Sequence, residues 1–281
     1  MNSKIDPRNK LNNLDGKKWI QETTTIWYQK GLGKNHPDTK YEKIHPAPFS
    51  FTNVQRLIEF FTKEGETVLD PFLGVASTLK AAAVAKRRGI GIELTKKWVD
   101  LSKERLEKET DSKVHQIVIQ GDSYIEVDEL ERNSVDFIVT SPPYFNILKK
   151  KPDHKIKEVR LHENLDTDYS DDPSDLGNYS NYEKFLIRLT DILTKCARVL
   201  KDKKYMCIIV SDFRHKSDYF PFHSDLYSLL TTNSTFSLEG ITILVQNAKK
   251  LYPYGYPFAF VPNIHHQYIL MFRNKKNQSE K

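Results

Sequence analysis

Residues 67–86, TVLDPFLGVASTLKAAAVAK, contain a short apolar run, a turn with proline and glycine, and an alanine-rich stretch. The apolar run predicts a buried strand at Thr67–Leu69, and the alanines predict a helix over Thr78–Lys86. A strand, a tight turn and a helix form the repeating unit of α/β folds with a parallel sheet. This stretch therefore predicts the fold class.

The same alternation continues on both sides of this unit. Further strands are predicted at Ile90–Ile92, His115–Ile119, Val135–Val139, Tyr205–Val210, Thr242–Val245 and Gln267–Phe272. Further helices are predicted at Asn53–Phe61, Thr95–Lys108, Tyr182–Leu200 and Ser224–Leu230. The pattern predicts an α/β fold with a seven-stranded, mostly parallel sheet and helices on both faces.

The domain organisation follows from where this rhythm stops. We expect an N-terminal arm at 1–44 that partly covers a cleft, one domain at 45–273, and a polar tail at 274–281. The first 20 residues are polar, which predicts a loosely held arm. Residues 145–181 lack clear periodicity and are too long for an ordinary connection, so they predict a functional insertion.

The composition limits the class of protein. The 281 residues carry 43 Lys and Arg against 37 Asp and Glu, a net charge of +6 that is compatible with a polyanionic partner. The apolar runs are strand-sized and the N-terminus is polar, so we expect no membrane span and no secretory signal. Two cysteines, Cys196 and Cys207, do not form a disulfide framework or a zinc site. We therefore expect a cytoplasmic protein without a metal.

Three acidic residues follow three successive strands: Asp70, Glu93 and Asp122. Ligands of open α/β sheets bind at the carboxyl ends of strands. A carboxylate at Glu93 is placed to accept hydrogen bonds from the ribose hydroxyls of a nucleoside-like cofactor, and Asp122 to meet the amino edge of an adenine. The alternative is that all three cap the helices that follow. The turn lacks Gly-x-Gly-x-x-Gly, which disfavours a dinucleotide.

The sharpest motif is VDFIVTSPPY at residues 135–144, an apolar strand that leads into Ser141-Pro142-Pro143-Tyr144. Two prolines fix the backbone and remove two amide donors, which leaves carbonyls and the Ser141 hydroxyl as acceptors. Acceptors that bind the N–H groups of a base amine favour a tetrahedral nitrogen that attacks a sulfonium methyl. Tyr144 offers a ring for a base turned out of the duplex. The alternative is a surface turn with a buried tyrosine.

These motifs resemble those of the amino-methylating DNA methyltransferases, the N4-cytosine and N6-adenine class. Residues 70–74 match the family's cofactor motif, Gly91-Ile92-Glu93 its ribose-binding strand, and residues 141–144 its catalytic motif. Residues 45–50 look like the segment that closes over the methionine end of the cofactor. The resemblance is close over 23–144 and looser to Arg273.

The resemblance implies a Rossmann-like class I methyltransferase fold, S-adenosylmethionine as cofactor with S-adenosylhomocysteine as product, and duplex DNA as partner. The catalytic residues are then Ser141, Pro142, Pro143 and Tyr144. The cofactor-binding residues are Phe49, Ser50, Asp70, Phe72, Gly74, Ser77, Thr78, Glu93, Leu94, Asp122, Ser123 and Thr140.

Basic side chains predict where DNA binds. The set comprises Lys149, Lys150, Lys151, Lys155, Arg160, Arg214 and His215. The first five lie in the insertion beside the catalytic motif and are placed to hold phosphates, although a solvated loop is the alternative reading. Arg214 and His215 follow the fifth strand and so face the same cleft.

Several functions stay open at this point. In the family, Ser at position 141 leans toward N4 of cytosine, with N6 of adenine as the alternative. Methylation at C5 requires a cysteine after proline, and neither cysteine has one. An RNA base amino-methyltransferase and a non-catalytic nucleic-acid-binding partner are further alternatives. We expect a monomer or homodimer, and a cognate restriction endonuclease is a possible companion.

Overall fold

The computed structural model describes residues 4–29, 51–111, 113–145, 172–215, 217–247 and 249–276. Its helices are α1 Gly16–Glu22, α2 Phe51–Phe61, α3 Ser77–Val84, α4 Lys96–Glu109, α5 Ser123–Glu129, α6 Tyr182–Val199 and α7 Phe222–Asn233. Its strands are β1 Ile26–Tyr28, β2 Thr67–Asp70, β3 Arg88–Glu93, β4 Gln116–Gln120, β5 Val135–Thr140, β6 Leu200–Val210, β7 Phe213–His215, β8 Asp218–Phe220, β9 Phe236–Val245 and β10 His266–Asn274.

One sheet organises the described part of the chain. Its order is β1-β9-β10-β6-β5-β2-β3-β4, and β7 and β8 form a separate hairpin. Strand β10 runs antiparallel to both neighbours, β6 and β9. The pairs β1–β9, β2–β3, β2–β5, β3–β4 and β5–β6 are parallel. The prediction of a mostly parallel α/β sheet is confirmed.

The main sheet has eight strands, so the predicted count of seven is wrong by one. All seven predicted strands are present, and β1 adds an edge strand by pairing Ile26 with Ile243. Three residues are too few to display an alternating pattern. The expectation of a loosely held arm over the first 20 residues is also wrong where the structure describes them, because Asn12 is fully buried and its side-chain amide donates to the Phe60 carbonyl at 2.6 Å.

Alternation along the strands divides the core between the two faces of the sheet. Val68 and Phe137 pack on one face with α2 and α3, whereas their neighbours Leu69 and Ile138 pack on the other with α6 and α7. Helices thus cover both faces, as expected, because successive strand side chains point in opposite directions. Each fully buried Leu, Ile or Phe contributes about 1.5–3 kcal/mol.

The polar tail begins later than predicted. Asn274 is the last residue of β10, is fully buried, and donates 2.9 Å hydrogen bonds to the carbonyls of Ala197 and Leu200. These bonds tie the end of the sheet to α6. In the described ranges, every helix is too short or too polar to traverse a bilayer.

Candidate active site

A cleft that opens to solvent lies at the carboxyl edge of the parallel strands. From β2 the chain proceeds through β3 and β4 in one direction, and from β5 to β6 in the other. The cleft therefore lies at the reversal of strand order, where open α/β sheets bind ligands. Its described lining includes Phe72, Gly74, Ile92, Glu93, Leu94, Thr95, Trp98, Asp122, Ser123, Ser141, Pro142, Pro143, Ser174, Asp175, Leu176 and Ile192.

Glu93 is one of the acidic residues that line the cleft. Its carboxylate accepts 2.9 Å hydrogen bonds from the backbone amides of Gly74 and Thr95, which fix its orientation. Burial raises the pKa of Glu93 to about 7, and the nearby carboxylate of Asp175 raises it further, while the two amide donors oppose the shift. The side chain lines the cleft and braces the two turns beside it, but it does not cap α4, whose N-cap residue is Thr95.

Asp70 lies behind the cleft rather than in its described lining. Its carboxylate is fully buried and accepts hydrogen bonds from Thr140 Oγ1 at 2.6 Å, Thr78 Oγ1 at 2.5 Å and the Phe72 amide at 3.0 Å. Burial raises the pKa of Asp70 to about 6. The network joins the ends of β2 and β5 to α3. Three predicted cofactor residues, Asp70, Thr78 and Thr140, thus support the shape of the cleft.

Asp122 caps a helix and also lines the cleft, and its contact with an adenine stays a prediction. One carboxylate oxygen accepts from the Tyr124 amide at 2.9 Å and caps α5, and the other lies 2.9 Å from the Arg188 guanidinium. Arg188 also lies over the Tyr124 ring, 3.4 Å from its centroid. These contacts hold the carboxylate at the cleft, and the Ser123 hydroxyl beside it donates to the Pro71 carbonyl.

The turn between β2 and α3 is fastened from outside by α4. Ser102 Oγ donates to the Gly74 carbonyl at 2.8 Å, and the Arg105 guanidinium donates to the Val75 carbonyl at 2.6 Å. Arg105 also bonds Ser77 Oγ at 3.2 Å, which places this predicted cofactor residue against α4. Ala76 adopts φ +59°, a left-handed conformation that glycine accepts more readily. The contacts from α4 thus hold the turn in shape although alanine rather than glycine occupies position 76.

The Ser141-Pro142-Pro143 segment lines the same cleft as Glu93 and Asp122. Tyr144 does not line its described part: the side chain is 8% exposed, and its ring packs against Phe213 and Phe222. Its hydroxyl accepts from the Ser211 amide at 2.8 Å, and burial raises its pKa to about 12. Ser141, Pro142 and Pro143 therefore line the cleft, whereas the ring of Tyr144 is buried beside it. Stacking of a base on that ring stays a prediction.

Two acidic groups near the catalytic motif escaped the sequence analysis. Asp175, within the predicted insertion, is 5% exposed and reaches the cleft with Leu176. Asp212 lies just beyond β6, with Oδ1 2.6 Å from His223 Nδ1 and Oδ2 accepting from the Tyr219 hydroxyl at 2.7 Å. Asp175 follows no strand, whereas Asp212 lies two residues after the end of β6, and the strand-end signal that selected the other carboxylates could have found it.

The predicted DNA-binding residues fall into two groups. Arg214 and His215 lie on β7, and the His215 ring meets the Phe145 ring at 5.5 Å, next to the catalytic motif. Lys149, Lys150, Lys151, Lys155 and Arg160 lie outside the described residues, as do the cofactor candidates Phe49 and Ser50. DNA contact stays a prediction for all of them.

The comparisons with known proteins agree with the motifs. A family model described as DNA methylase, N6_N4_Mtase, matches residues 1–104 and 135–281. The type II methyltransferase M.BglI of Bacillus subtilis is 37% identical over 100 residues, which cover 36% of this chain and 26% of that protein. M.MjaI of Methanocaldococcus jannaschii is 38% identical over 89 residues, 32% of this chain and 27% of that protein. The chain thus spans about a quarter of these relatives.

Solved structures extend the likeness to the whole fold. A candidate rRNA methylase from Clostridium thermocellum superimposes with a TM-score of 0.50 at 14% identity, and the match covers 81% of this chain and 98% of that one. At this identity the likeness identifies the fold alone. The Rossmann-like class I arrangement expected from the sequence is confirmed.

Proposed function

The chain belongs to the N6_N4_Mtase family of DNA methylases, and from this premise we propose that it is a site-specific, S-adenosylmethionine-dependent DNA methyltransferase. The acceptor is the exocyclic N4 amine of a cytosine that is turned out of the duplex. One observation carries the proposal: Ser141, Pro142 and Pro143 share a cleft with Glu93 and Asp122. A base amine and a nucleoside cofactor would therefore meet in one enclosure.

The residues of the cleft fit this cofactor. Glu93, held by two backbone amides, would accept hydrogen bonds from the ribose hydroxyls. Asp122 and Ser123 would bind the amino edge of the adenine, among apolar walls that include Leu94 and Trp98. When bound, the cofactor supplies a sulfonium methyl that is open to nucleophilic attack. S-adenosylmethionine carries no phosphate, which agrees with a turn that has no dinucleotide glycine pattern.

The chain's own part in the reaction is to prepare the amine. The Ser141 hydroxyl and the Pro142 carbonyl would accept its N–H hydrogen bonds and favour the tetrahedral nitrogen. The side chains of both cysteines are fully buried, and burial raises the pKa of Cys196 to about 12, which removes it as a nucleophile for C5 chemistry. Ser141 at the head of the motif supports cytosine N4 over adenine N6. The type II names of the relatives support a short recognition site and a companion nuclease.

The test of this function is transfer of tritiated methyl groups from S-adenosylmethionine to duplex DNA, followed by nucleoside analysis of the product. We expect label in N4-methylcytosine. Label in N6-methyladenine would overturn the base assignment, and label confined to RNA would overturn the substrate class. Cofactor binding with no transfer to any nucleic acid would favour the non-catalytic reading.

Cofactor affinity is expected to rise with pH. Hydroxyl donors prefer the ionised carboxylate, and the pKa of Glu93 is raised to about 7. Below that pH the ionised fraction of Glu93 falls, so the dissociation constant of the cofactor should rise by up to about tenfold per pH unit. Calorimetric titration of S-adenosylmethionine between pH 5.5 and 8.5 measures the effect.

Three variants make the pH test specific. Glu93→Gln should bind weakly at every pH. Asp175→Asn removes a neighbouring negative charge that raises the pKa of Glu93. The midpoint, the pH at which the cofactor affinity is half-maximal, should therefore be lower in this variant than in wild type. Asp128→Asn, whose carboxylate pairs with Lys195 outside the described cleft lining, is the matched control and should behave as wild type. An unchanged midpoint in Glu93→Gln would contradict the assignment.

A further inference from the structure

A loop between β9 and β10 exposes an unusual amount of aromatic surface. We define the aromatic loop as residues 249–265. Within it, Phe258 is 93% exposed, Phe260 90% and Tyr256 80%, and Leu251, Tyr252 and Tyr254 are each more than 40% exposed. Isolated exposed apolar residues are ordinary, whereas a contiguous group indicates an interaction site.

The backbone holds these rings outward in a fixed shape. Asn263 bridges the loop by donating to the Tyr252 carbonyl at 2.8 Å and accepting from its amide at 2.9 Å. The Gly255 carbonyl accepts 2.7 Å hydrogen bonds from the amides of Phe258 and Ala259. Gly255 has φ +75°, and a Cβ there would lie 2.3 Å from the Ala259 carbonyl oxygen. The exposed rings therefore stand on a preorganised turn.

The aromatic loop is joined to the catalytic motif. The His265 carbonyl accepts from the Gln246 amide at 2.8 Å and closes the neck of the loop. The next carbonyl, of His266, accepts from Ser211 Oγ at 3.1 Å, and the Ser211 amide donates to the Tyr144 hydroxyl at 2.8 Å. One residue thus connects the neck to Tyr144, so the loop stands at the edge of the sheet where the catalytic motif lies.

The charge around the aromatic loop points to one kind of partner. No aspartate or glutamate occurs between Glu239 and Glu280, whereas the loop carries Lys249 and Lys250. The carboxylate of Asp212, which lies near the neck, is engaged by His223 and by the Tyr219 hydroxyl. Aromatic rings among basic residues are typical of surfaces that stack on nucleic-acid bases. A second copy that met this loop through its own loop would bring its Lys249 and Lys250 to the same place, and like charges repel.

We propose that Phe258 and Phe260 insert between base pairs of duplex DNA beside the target nucleotide and open the stack from which the base leaves. This inference rests on the proposed function and assigns the loop a task within it. Apolar side chains inserted at a base step unstack it and kink the duplex. Turning the target base out of the duplex then costs less free energy, because fewer of its stacking contacts remain to be broken.

The test compares the Phe258→Ala/Phe260→Ala double variant with wild type in two assays. In the first, relaxation of closed circular plasmid by a topoisomerase with bound protein reports helix unwinding, without knowledge of the recognition site. In the second, methyl transfer is compared between total duplex DNA and the same DNA after heat denaturation. We expect the double variant to lose the linking-number shift, to transfer about tenfold more slowly to duplex DNA, and to match wild type on denatured DNA.

Controls separate the possible failures. Val84→Ala/Ile187→Ala removes exposed apolar side chains from α3 and α6 and should unwind and methylate like wild type. If the aromatic double variant unwinds and methylates duplex DNA at wild-type levels, the insertion is overturned and the methyltransferase stands. If wild type unwinds DNA but transfers no methyl group, the proposed function fails instead. Loss of a concentration-dependent dimer with unwinding intact would reassign the loop to self-association and overturn the insertion.

Discussion

Asp70→Ala is expected to lower the free energy of unfolding by about 4 kcal/mol, because three buried donors lose their shared acceptor. The donors are the Thr78 and Thr140 hydroxyls and the Phe72 amide. Each unsatisfied buried group costs about 1–3 kcal/mol, and a domain is stable by about 5–15 kcal/mol in total. Urea denaturation followed by circular dichroism measures the loss.

Asp70→Asn is the matched control and should stay folded. Its carboxamide oxygen still accepts from the Phe72 amide, and its NH2 group donates to a hydroxyl, which is also an acceptor. Burial raises the pKa of Asp70 from 3.8 to about 6. Because the folded-state pKa is the higher one, wild type has its full stability below pH 3.8 and loses up to about 3 kcal/mol as the pH rises through 6.

Asp70→Asn has no ionisable group at this position, so its stability lacks the contribution from titration of the Asp70 carboxyl. The stability of wild type relative to Asp70→Asn should therefore fall between pH 4 and 7, and level off above. A difference that is constant over this range would show that the carboxyl is not perturbed by burial. Equal stability of Asp70→Ala and Asp70→Asn would contradict the role of the hydrogen-bond network.

Sequence pattern located the edge of the sheet but not the direction of each side chain. Glu93 and Asp70 both follow apolar strands, yet one lines the cleft and the other is buried behind it. All four residues of β2 are buried, so the strand shows no alternation from which to assign a face. The direction of Asp70 is set by the hydroxyls of Thr78 and Thr140, which come from elements that the fold brings together.

Contacts over long sequence separations explain the other omissions. Strand β1 acquires its place by pairing with β9, more than 200 residues away, and its three residues carry no pattern of their own. Asp175 reaches the cleft as the N-cap of the 3₁₀ turn Leu176–Asn178, where its carboxylate accepts from the Gly177 amide. By contrast, Ser141-Pro142-Pro143 was predictable because the rigid motif directly follows a fully buried strand.

Tyr144→Ala is expected to slow methyl transfer to DNA by about 100-fold while leaving cofactor affinity unchanged. Stacking of a base on an aromatic ring is worth about 1–3 kcal/mol, which corresponds to about 5- to 150-fold in rate. Tyr144 lies outside the described lining of the cleft, so cofactor binding has no direct dependence on it. Single-turnover transfer and calorimetric titration measure the two quantities separately.

Conservative variants distinguish the ring of Tyr144 from its hydroxyl. Tyr144→Phe keeps the ring and removes the contact with the Ser211 amide, so transfer should fall by less than about tenfold. Tyr182→Phe removes a hydroxyl that donates to Asp225 at 2.8 Å within the same aromatic cluster, and should leave transfer unchanged.

The burial of Tyr144 makes this comparison decisive. Its ring is packed by Phe213 and Phe222, so a base reaches it only if that packing opens. Truncation of this buried ring lowers the free energy of unfolding whatever its role, so the cofactor affinity and the methyl transfer of the folded variant decide. If the ring serves purely as a packing element, Tyr144→Ala should reduce cofactor affinity and transfer together, and single-stranded DNA should give no relief. Selective loss of transfer, with the fold and cofactor affinity retained, requires that the ring meet the substrate.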